Sequence, residues 1–398
     1  MNNFEDTIAQ LCLNKYHSLK KTGKPIATEW TVLSGIVMKN NDNNLKVIAL
    51  ATGTKCLGIN ELIDNKINIG NRLHDSHAEV LTRRAFLRYL YIEIEKLLNN
   101  ENNLSDIFIL NTYKNIIELK NGVSFHFYCS QTPCGDCSII PINYTNLLND
   151  EVDIDVNGRE IGYQETEIIQ DLHRTGAKCI VDDKIQDPKL PGVNYHAIGP
   201  LRTKPGRGDP TLSLSCSDKL AKWNIVGIQG ALLSILIPKI KLETIVIGGN
   251  CPFSIESMNR GIFKRFSTEI SAPIILQSTL EFEHIKSDER HHPCPSSVIW
   301  CHVKNRHTEV AVEGRKQGAT KKNKCNLLIT RKELLHQFLK IIDNSNLKII
   351  DIPKHPKILT YYDYKQLSID YQKTWKECKQ RYFENWPSKP IDLQQFLL

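Results

Sequence analysis

What this chain lacks removes several classes of protein. No apolar run approaches the ~20 residues needed to cross a bilayer; stretches such as "ALLSILI" at 231–237 stop far short. The opening "MNNFEDTIAQ" has no basic-then-apolar secretory pattern. Internal repeats and long low-complexity linkers are missing too, which argues against a solenoid or a tether. These absences predict an intracellular protein, in cytoplasm, nucleus or both, with no membrane partner. Charge of one sign is only slightly in surplus, with 51 Lys and Arg against 44 Asp and Glu, for a net +7. That excess permits a polyanionic partner without requiring one.

The 398 residues, 41% hydrophobic and 24% charged, suffice for a sizeable core, and a single domain over 1–398 is expected. Cysteine is plentiful at 12. In an intracellular chain these thiols stay reduced, and those beside apolar residues, such as Cys12 and Cys179, are expected to be buried and inert.

"FEDTIAQLCLNKYHSL" has apolar residues at helical spacing. "EWTVLSGIVMK" and "LKVIALATGT" flank "NNDNN", which predicts a hairpin. "DSHAEVLTRRAFLRYLYIEIEKLL" reads as a helix, with Asp75 or Ser76 as its cap. "VSFHFYCS" reads as a strand running into a Pro-Cys turn with a helix after it. "AKCIVDD", "LETIVIGG", "SSVIWCHV" and "TEVAVEG" supply further strands, while "RKELLHQFLKII" and much of 363–384 supply helices. Strands interleaved with helices predict an α/β sheet carrying helices on its faces.

Two short motifs carry chemistry. His77-Ala78-Glu79 is an H-x-E at the start of a helix, and Pro133-Cys134 follows a strand. Together they have the zinc-deaminase pattern H-x-E…P-C. An imidazole and two thiolates leave one position of a tetrahedral zinc open for water, whose pKa the metal lowers. A carboxylate that is not a ligand, Glu79, can then shuttle protons. A helix beginning at Cys134 would favour its thiolate. The third ligand is ambiguous, since Cys137 completes a C-x2-C in "TPCGDCSI". A closed structural zinc site would have no use for Glu79.

"SCSDKLAKWNIVGIQGALLS" at 215–234 closely resembles the corresponding segment of the adenosine deaminases acting on RNA and their tRNA-specific relatives. "GIVM", "ATGTKC", "DSHAEVLTRRAFLRYL", "TPCGD", "LRTKPGRGD" and "WPSKP" follow in that family's order over nearly the whole chain. The resemblance implies a cytidine-deaminase-like α/β fold, a mixed sheet flanked by helices, with an extended C-terminal part enclosing a polyanion. It implies that zinc is held by His77, Cys134 and Cys216, with Glu79 as proton shuttle and Cys137 a buried bystander.

Basic residues on the ligand-bearing helices would be costly to bury unpaired. The resemblance implies that inositol hexakisphosphate neutralises them, through Arg83, Arg84, Lys219, Lys222, Trp223, Gln229, Arg331, Tyr361, Lys365, Tyr371, Trp386 and Lys389. Lys204 and Asp75 would join this ligand to the zinc site. Ser388, Gln394 and Trp375 depart from the family's pattern, as does Lys222, which stands where Arg is common.

For the substrate, the resemblance points to Thr54, Lys55 and the loop "TKPGRGDP" with Arg207. The run "EGRKQGATKKNK" at 313–324 could add nonspecific attraction to phosphate. The motifs begin almost at the first residue, leaving no room for double-stranded RNA-binding domains, so the expected partner is a tRNA anticodon stem-loop rather than DNA, with no obligate protein partner. An adenine must be unstacked before C6 is attacked, and anticodon-loop bases already are. The implied reaction is hydrolytic deamination of adenosine to inosine, at position 37 of alanine tRNA in the relatives that this chain resembles most. Alternatives are a cytosine or free-nucleoside deaminase, favoured if Cys137 were the ligand, and a noncatalytic RNA-binding subunit, which Glu79 opposes.

Overall fold

The computed structural model describes residues 3–63, 69–99, 105–141, 168–173, 176–180, 187, 195–206, 209–266, 271–319, 325–344 and 359–398. Its centre is a mixed eight-stranded sheet. In chain order the strands are β1 (Leu33–Lys39), β2 (Leu45–Thr52), β3 (Ser124–Cys129), β4 (Thr244–Ile247), β5 (Ile274–Gln277), β6 (Ser296–Cys301), β7 (Thr308–Val312) and β8 (Arg315–Lys316). They lie in the order β5-β4-β3-β1-β2-β6-β7-β8. The β5, β4 and β3 strands are parallel, and the remaining pairings are antiparallel. All of β4 is buried, as a parallel strand covered on both faces must be. The β1–β2 hairpin turns where predicted, with Asn43 at φ 62 and the Asn40 side chain accepting from the amides of Asp42 and Asn44.

Helix α1 (Phe4–Ser18) covers one face, where Ile8, Cys12 and Tyr16 pack on Leu33, Val37, Leu50 and Val246. Gly35 permits this approach, since a Cβ there would stand 2.5 Å from Cys12 Sγ. Helix α2 (Ala78–Leu98) covers the other face, placing Leu81, Ala85, Phe86 and Leu90 on Ile36, Ile48 and Ala49. Helix α3 (Cys216–Val226) and the C-terminal helices α4 (Arg331–Asn344), α5 (Tyr361–Gln366) and α6 (Ile369–Tyr382) form an outer layer beside α2. Among the described residues no helix is long and apolar enough to cross a membrane.

Two local expectations are corrected. Asp75 and Ser76 do not cap α2: they belong to a short strand, Asp75–His77, and His77 is the cap residue without a side-chain cap bond. Asp75 instead accepts from the His77 amide at 3.0 Å and from buried lysines. Among the described residues that follow the Pro-Cys turn, up to 141, there is no α-helix but a 3-10 turn, Asp136–Ser138. The helix that begins at the thiolates is α3, and its placement could not be read from the residues after Cys134.

Candidate active site

The site forms where the carboxyl end of β3 meets the first turns of α2 and α3. Ligands collect at such strand ends in open α/β sheets because the loops there diverge. His77 ends the Asp75–His77 strand, which pairs antiparallel with Thr54–Cys56 so that Thr54 lies opposite His77 and Lys55 opposite Ser76. Cys134 lies in the turn beyond β3. Gly135 in that turn has φ 104, and a Cβ there would overlap Ser215 Oγ, so the turn seats directly on the start of α3. Cys216 opens α3, and Ser215 caps it by accepting from the Asp218 amide.

The ligand-capable atoms of His77, Cys134 and Cys216 all lie within 4.8 Å of one another. His77 Nδ1 is 3.6 Å from Cys216 Sγ and 3.9 Å from Cys134 Sγ. A tetrahedral zinc with bonds of about 2.0–2.3 Å separates its ligands by roughly 3.5 Å, so this donor set fits one. The Cys216 amide donates to Cys134 Sγ at 3.3 Å, which gives that sulfur the helix-start stabilisation first expected from its own segment. Cys134 is held well below the ordinary thiol range, first by its hydrogen bond with Cys216 and then, against burial, by Lys204 and His77. Cys216 is pushed upward, first by burial and then by its bond with Cys134 and that sulfur's charge.

Cys137 stands apart from this cluster. Its side chain is fully buried, with Sγ 3.9 Å from the Met258 carbonyl and pressed against Gly261. Burial pushes its thiol up to about 12. Glu79 is 3% exposed, and its Oε2 is buried with no hydrogen-bond partner among the described residues. A desolvated carboxylate oxygen without a partner is costly.

Asp75 links this cluster to a second region. Lys204 Nζ bonds both its oxygens, at 3.0 and 2.8 Å, and Lys219 bonds Oδ2. Burial raises the Asp75 carboxyl, but Lys204 and Lys219 bring it well below its usual value. Beyond them, Arg83, Arg84, Lys222, Arg331, Lys365 and Lys389 gather with no carboxylate partner among the described residues. Burial, then mutual repulsion, lowers Arg84 to about 9, with Lys222 and Lys389 falling well below the usual lysine value. Burial raises the Tyr361 phenol, yet Lys365, Arg331, Arg84 and Arg83 bring it below its ordinary value. Arg84 Nη2 is buried without a partner among the described residues. Such a set fits a polyphosphate, whose oxygens supply the acceptors these groups lack.

Residues 49–390 match the adenosine-deaminase (editase) domain. The chain is 37% identical to the tRNA-specific adenosine deaminase 1 of Drosophila melanogaster, over 98% of this chain and 96% of that protein. It is 31% identical to the tRNA-specific adenosine deaminase 1 of Homo sapiens, over 98% of this chain and 99% of that protein. The double-stranded RNA-specific editase Adar of Drosophila melanogaster is 37% identical over 61% of this chain and 33% of its own length. This chain belongs to the adenosine-deaminase (editase) family.

Within this editase domain the other anticipated residues fall as follows. Arg83 donates to the Ile228 carbonyl and lies 5.1 Å from the Trp223 ring centre. Arg84 and Arg331 donate to the carbonyls of Ile329 and Leu393, and Lys365 to Gln394 Oε1 at 3.1 Å. Tyr371 and Trp386 border the same region, within the cluster formed with Trp375 and Phe383. The Gln229 amide is engaged by backbone instead, with Oε1 accepting from Ile240 at 3.0 Å. Thr54 Oγ1 is buried without a partner among the described residues, and Lys55 is half-buried beside it. Arg207 lies outside the described residues, as do 320–324 of the basic run at 313–324.

Two residues of the editase site were not anticipated in these roles. His74 Nδ1 receives Arg331 Nη2 at 3.2 Å and Lys389 Nζ at 3.4 Å, so its ring is neutral on that side. Its place three residues before His77 was the available signal. Trp375 departs from the family's pattern, yet Lys222 Nζ sits 3.4 Å from its ring centre, with Trp386 at 5.0 Å. Aromatic faces partly compensate the buried ammonium there.

Proposed function

We propose that this protein deaminates adenosine to inosine in tRNA by hydrolysis, with zinc held by His77, Cys134 and Cys216. The observation that carries the reading is Glu79, whose Oε2 is buried and unpartnered two residues from His77. The near full-length match to relatives named for tRNA supports the substrate class. Position 37 of alanine tRNA, beside the anticodon, is the site implied by the family resemblance.

When bound, zinc lowers the pKa of water toward neutrality, which makes hydroxide available at cellular pH. Glu79 takes the proton from the attacking water and delivers it to the ring nitrogen N1. A C6–O bond forms as N1 is protonated; Glu79 then takes the remaining proton from the new C6 hydroxyl and passes it to the amino group, so that the C6–N bond breaks, ammonia leaves and the C6 carbonyl of inosine remains. Lys204, buried and salt-bridged to Asp75, offsets the negative charge of Cys134, Cys216 and Glu79. Thr54 Oγ1 and Lys55 are offered to the flipped nucleotide and its phosphate. Inositol hexakisphosphate in the cationic region acts as a folding cofactor that binds only the native state, within a single catalytic domain.

Purified protein incubated with total tRNA should yield inosine, read by sequencing as A-to-G changes. Glu79→Ala should lower the rate by at least about 10²-fold while zinc content stays at the wild-type level. An absence of inosine in every tRNA would overturn the reading.

A further inference from the structure

Each thiolate proposed as a zinc ligand is followed two residues later by a buried aspartate, Asp136 after Cys134 and Asp218 after Cys216. Both carboxylates are 1% exposed. Neither faces the metal cluster; each is engaged by an arginine from one short segment of another part of the chain. Arg260 Nε donates to Asp136 Oδ2 at 2.8 Å, and its Nη2 donates to the Asp136 and Ile139 carbonyls at 2.8 Å. Arg265 Nη2 donates to Asp218 Oδ1 at 2.7 Å, while Nη1 donates to the Gly199 carbonyl at 3.0 Å. The Gly199 amide donates in turn to Asp136 Oδ1 at 2.7 Å, closing a loop between the two arms. The second oxygen of Asp218 accepts from Ser215 Oγ at 2.7 Å and from the Arg202 amide at 3.1 Å.

The backbone of the arginine segment explains the reach. Arg260–Lys264 is a π-helical turn, and the Arg265 amide donates to the Arg260 carbonyl at 3.3 Å. Widening the turn by one residue stacks positions five apart, so both guanidinium groups issue from one place toward two different segments. Such turns are rare and recur at functional sites.

We infer that Arg260 and Arg265 form a two-armed brace that sets the separation of Cys134 and Cys216 and so holds the zinc-binding geometry. The inference rests on the ligand reading given above. Beside the brace, the Cys134 turn meets α3 through Ser217, whose Oγ contacts the Cys134 and Pro133 carbonyls at 2.9 and 3.2 Å and accepts from the Cys137 amide at 3.1 Å, through the Ser217 amide to the Cys134 carbonyl and through the Cys216 amide to Cys134 Sγ. The arginines touch neither metal nor substrate; they are positioning residues.

Zinc release into a chromogenic chelator tests this on the full-length holoenzyme, using Arg260→Lys and Arg265→Lys. A lysine keeps the charge but cannot make the forked contacts. Release should quicken by about 10–100-fold in either variant, and the ligand-field bands of the cobalt-substituted protein should shift. Arg88→Lys is the control: among the described residues this buried arginine bonds the Arg306 and Asn305 carbonyls, and its replacement should leave release unchanged. Wild-type release and cobalt spectra in the folded brace variants would overturn the inference, as would equal acceleration in Arg88→Lys. If one brace variant fails to fold, the other decides. Cys216→Ala separates the two claims. A Cys216→Ala protein that keeps its zinc overturns the ligand reading, and the brace with it. Loss of zinc there, with unchanged release in the arginine variants, overturns the brace alone.

Discussion

At the residue scale, burial and direction separate two cysteines that share a motif. Cys134 carries its sulfur to His77, while Cys137 turns its sulfur toward Met258 and Gly261. Cys216→Ala is therefore expected to lose bound zinc, and Cys137→Ala to keep full stoichiometry, as measured by elemental analysis of folded protein. Loss only in Cys137→Ala would reverse the assignment. "TPCGDCSI" alone could not decide this, because a C-x2-C spacing is compatible with ligation by one or both sulfurs. The arm that excludes Cys137 is the 3-10 turn, which the residue pattern does not encode.

At the element scale, the helices were largely readable because each carries an apolar stripe of helical period. The contacts between elements were not readable. Gly35 in β1 is an instance: the sequence offers a small residue in a strand, and only the packed structure shows Cys12 of α1 against it. Gly35→Ala should destabilise the protein by about 1–3 kcal/mol in chemical denaturation through overpacking. Adding Cys12→Ala should recover part of that loss, because the sulfur is the atom in the way. Additive losses in the double variant would show that the helix and sheet do not meet there.

At the scale of the whole molecule, the cationic region is expected to make stability depend on pH and, under the polyphosphate reading, on an anion. Lys222 and Lys389 are depressed well below the ordinary 10.5, chiefly by burial and then by neighbouring cations. A folded lysine with a lowered pKa binds fewer protons than the unfolded one, so stability rises with pH between the lowered value and 10.5. Polyphosphate-free protein should thus gain stability as pH rises from the lowered lysine values toward 10.5. Bound inositol hexakisphosphate should remove that slope by favouring the charged lysines, and at 100-fold excess over its Kd should add about 2.7 kcal/mol. Thermal or denaturant unfolding at several pH values, with and without the polyphosphate, measures both. A flat profile in the polyphosphate-free protein would count against a buried cation cluster.

The chain by itself determined the α/β class, most of the strands and helices, and the residue types of the candidate site: an imidazole, thiolates and a carboxylate in motifs specific enough to name a family. These are local facts, written in period and spacing. Tertiary structure alone decided which sulfurs converge, that α3 rather than the Pro-Cys segment offers its amide to Cys134, and that His74 and Trp375 meet Arg331, Lys389 and Lys222. It also brought a π-helical turn against two aspartates that no spacing connects to it. Convergence across distant segments depends on how the faces of a sheet and its helices pack, and that packing is a property of the assembled core rather than of any one stretch of residues.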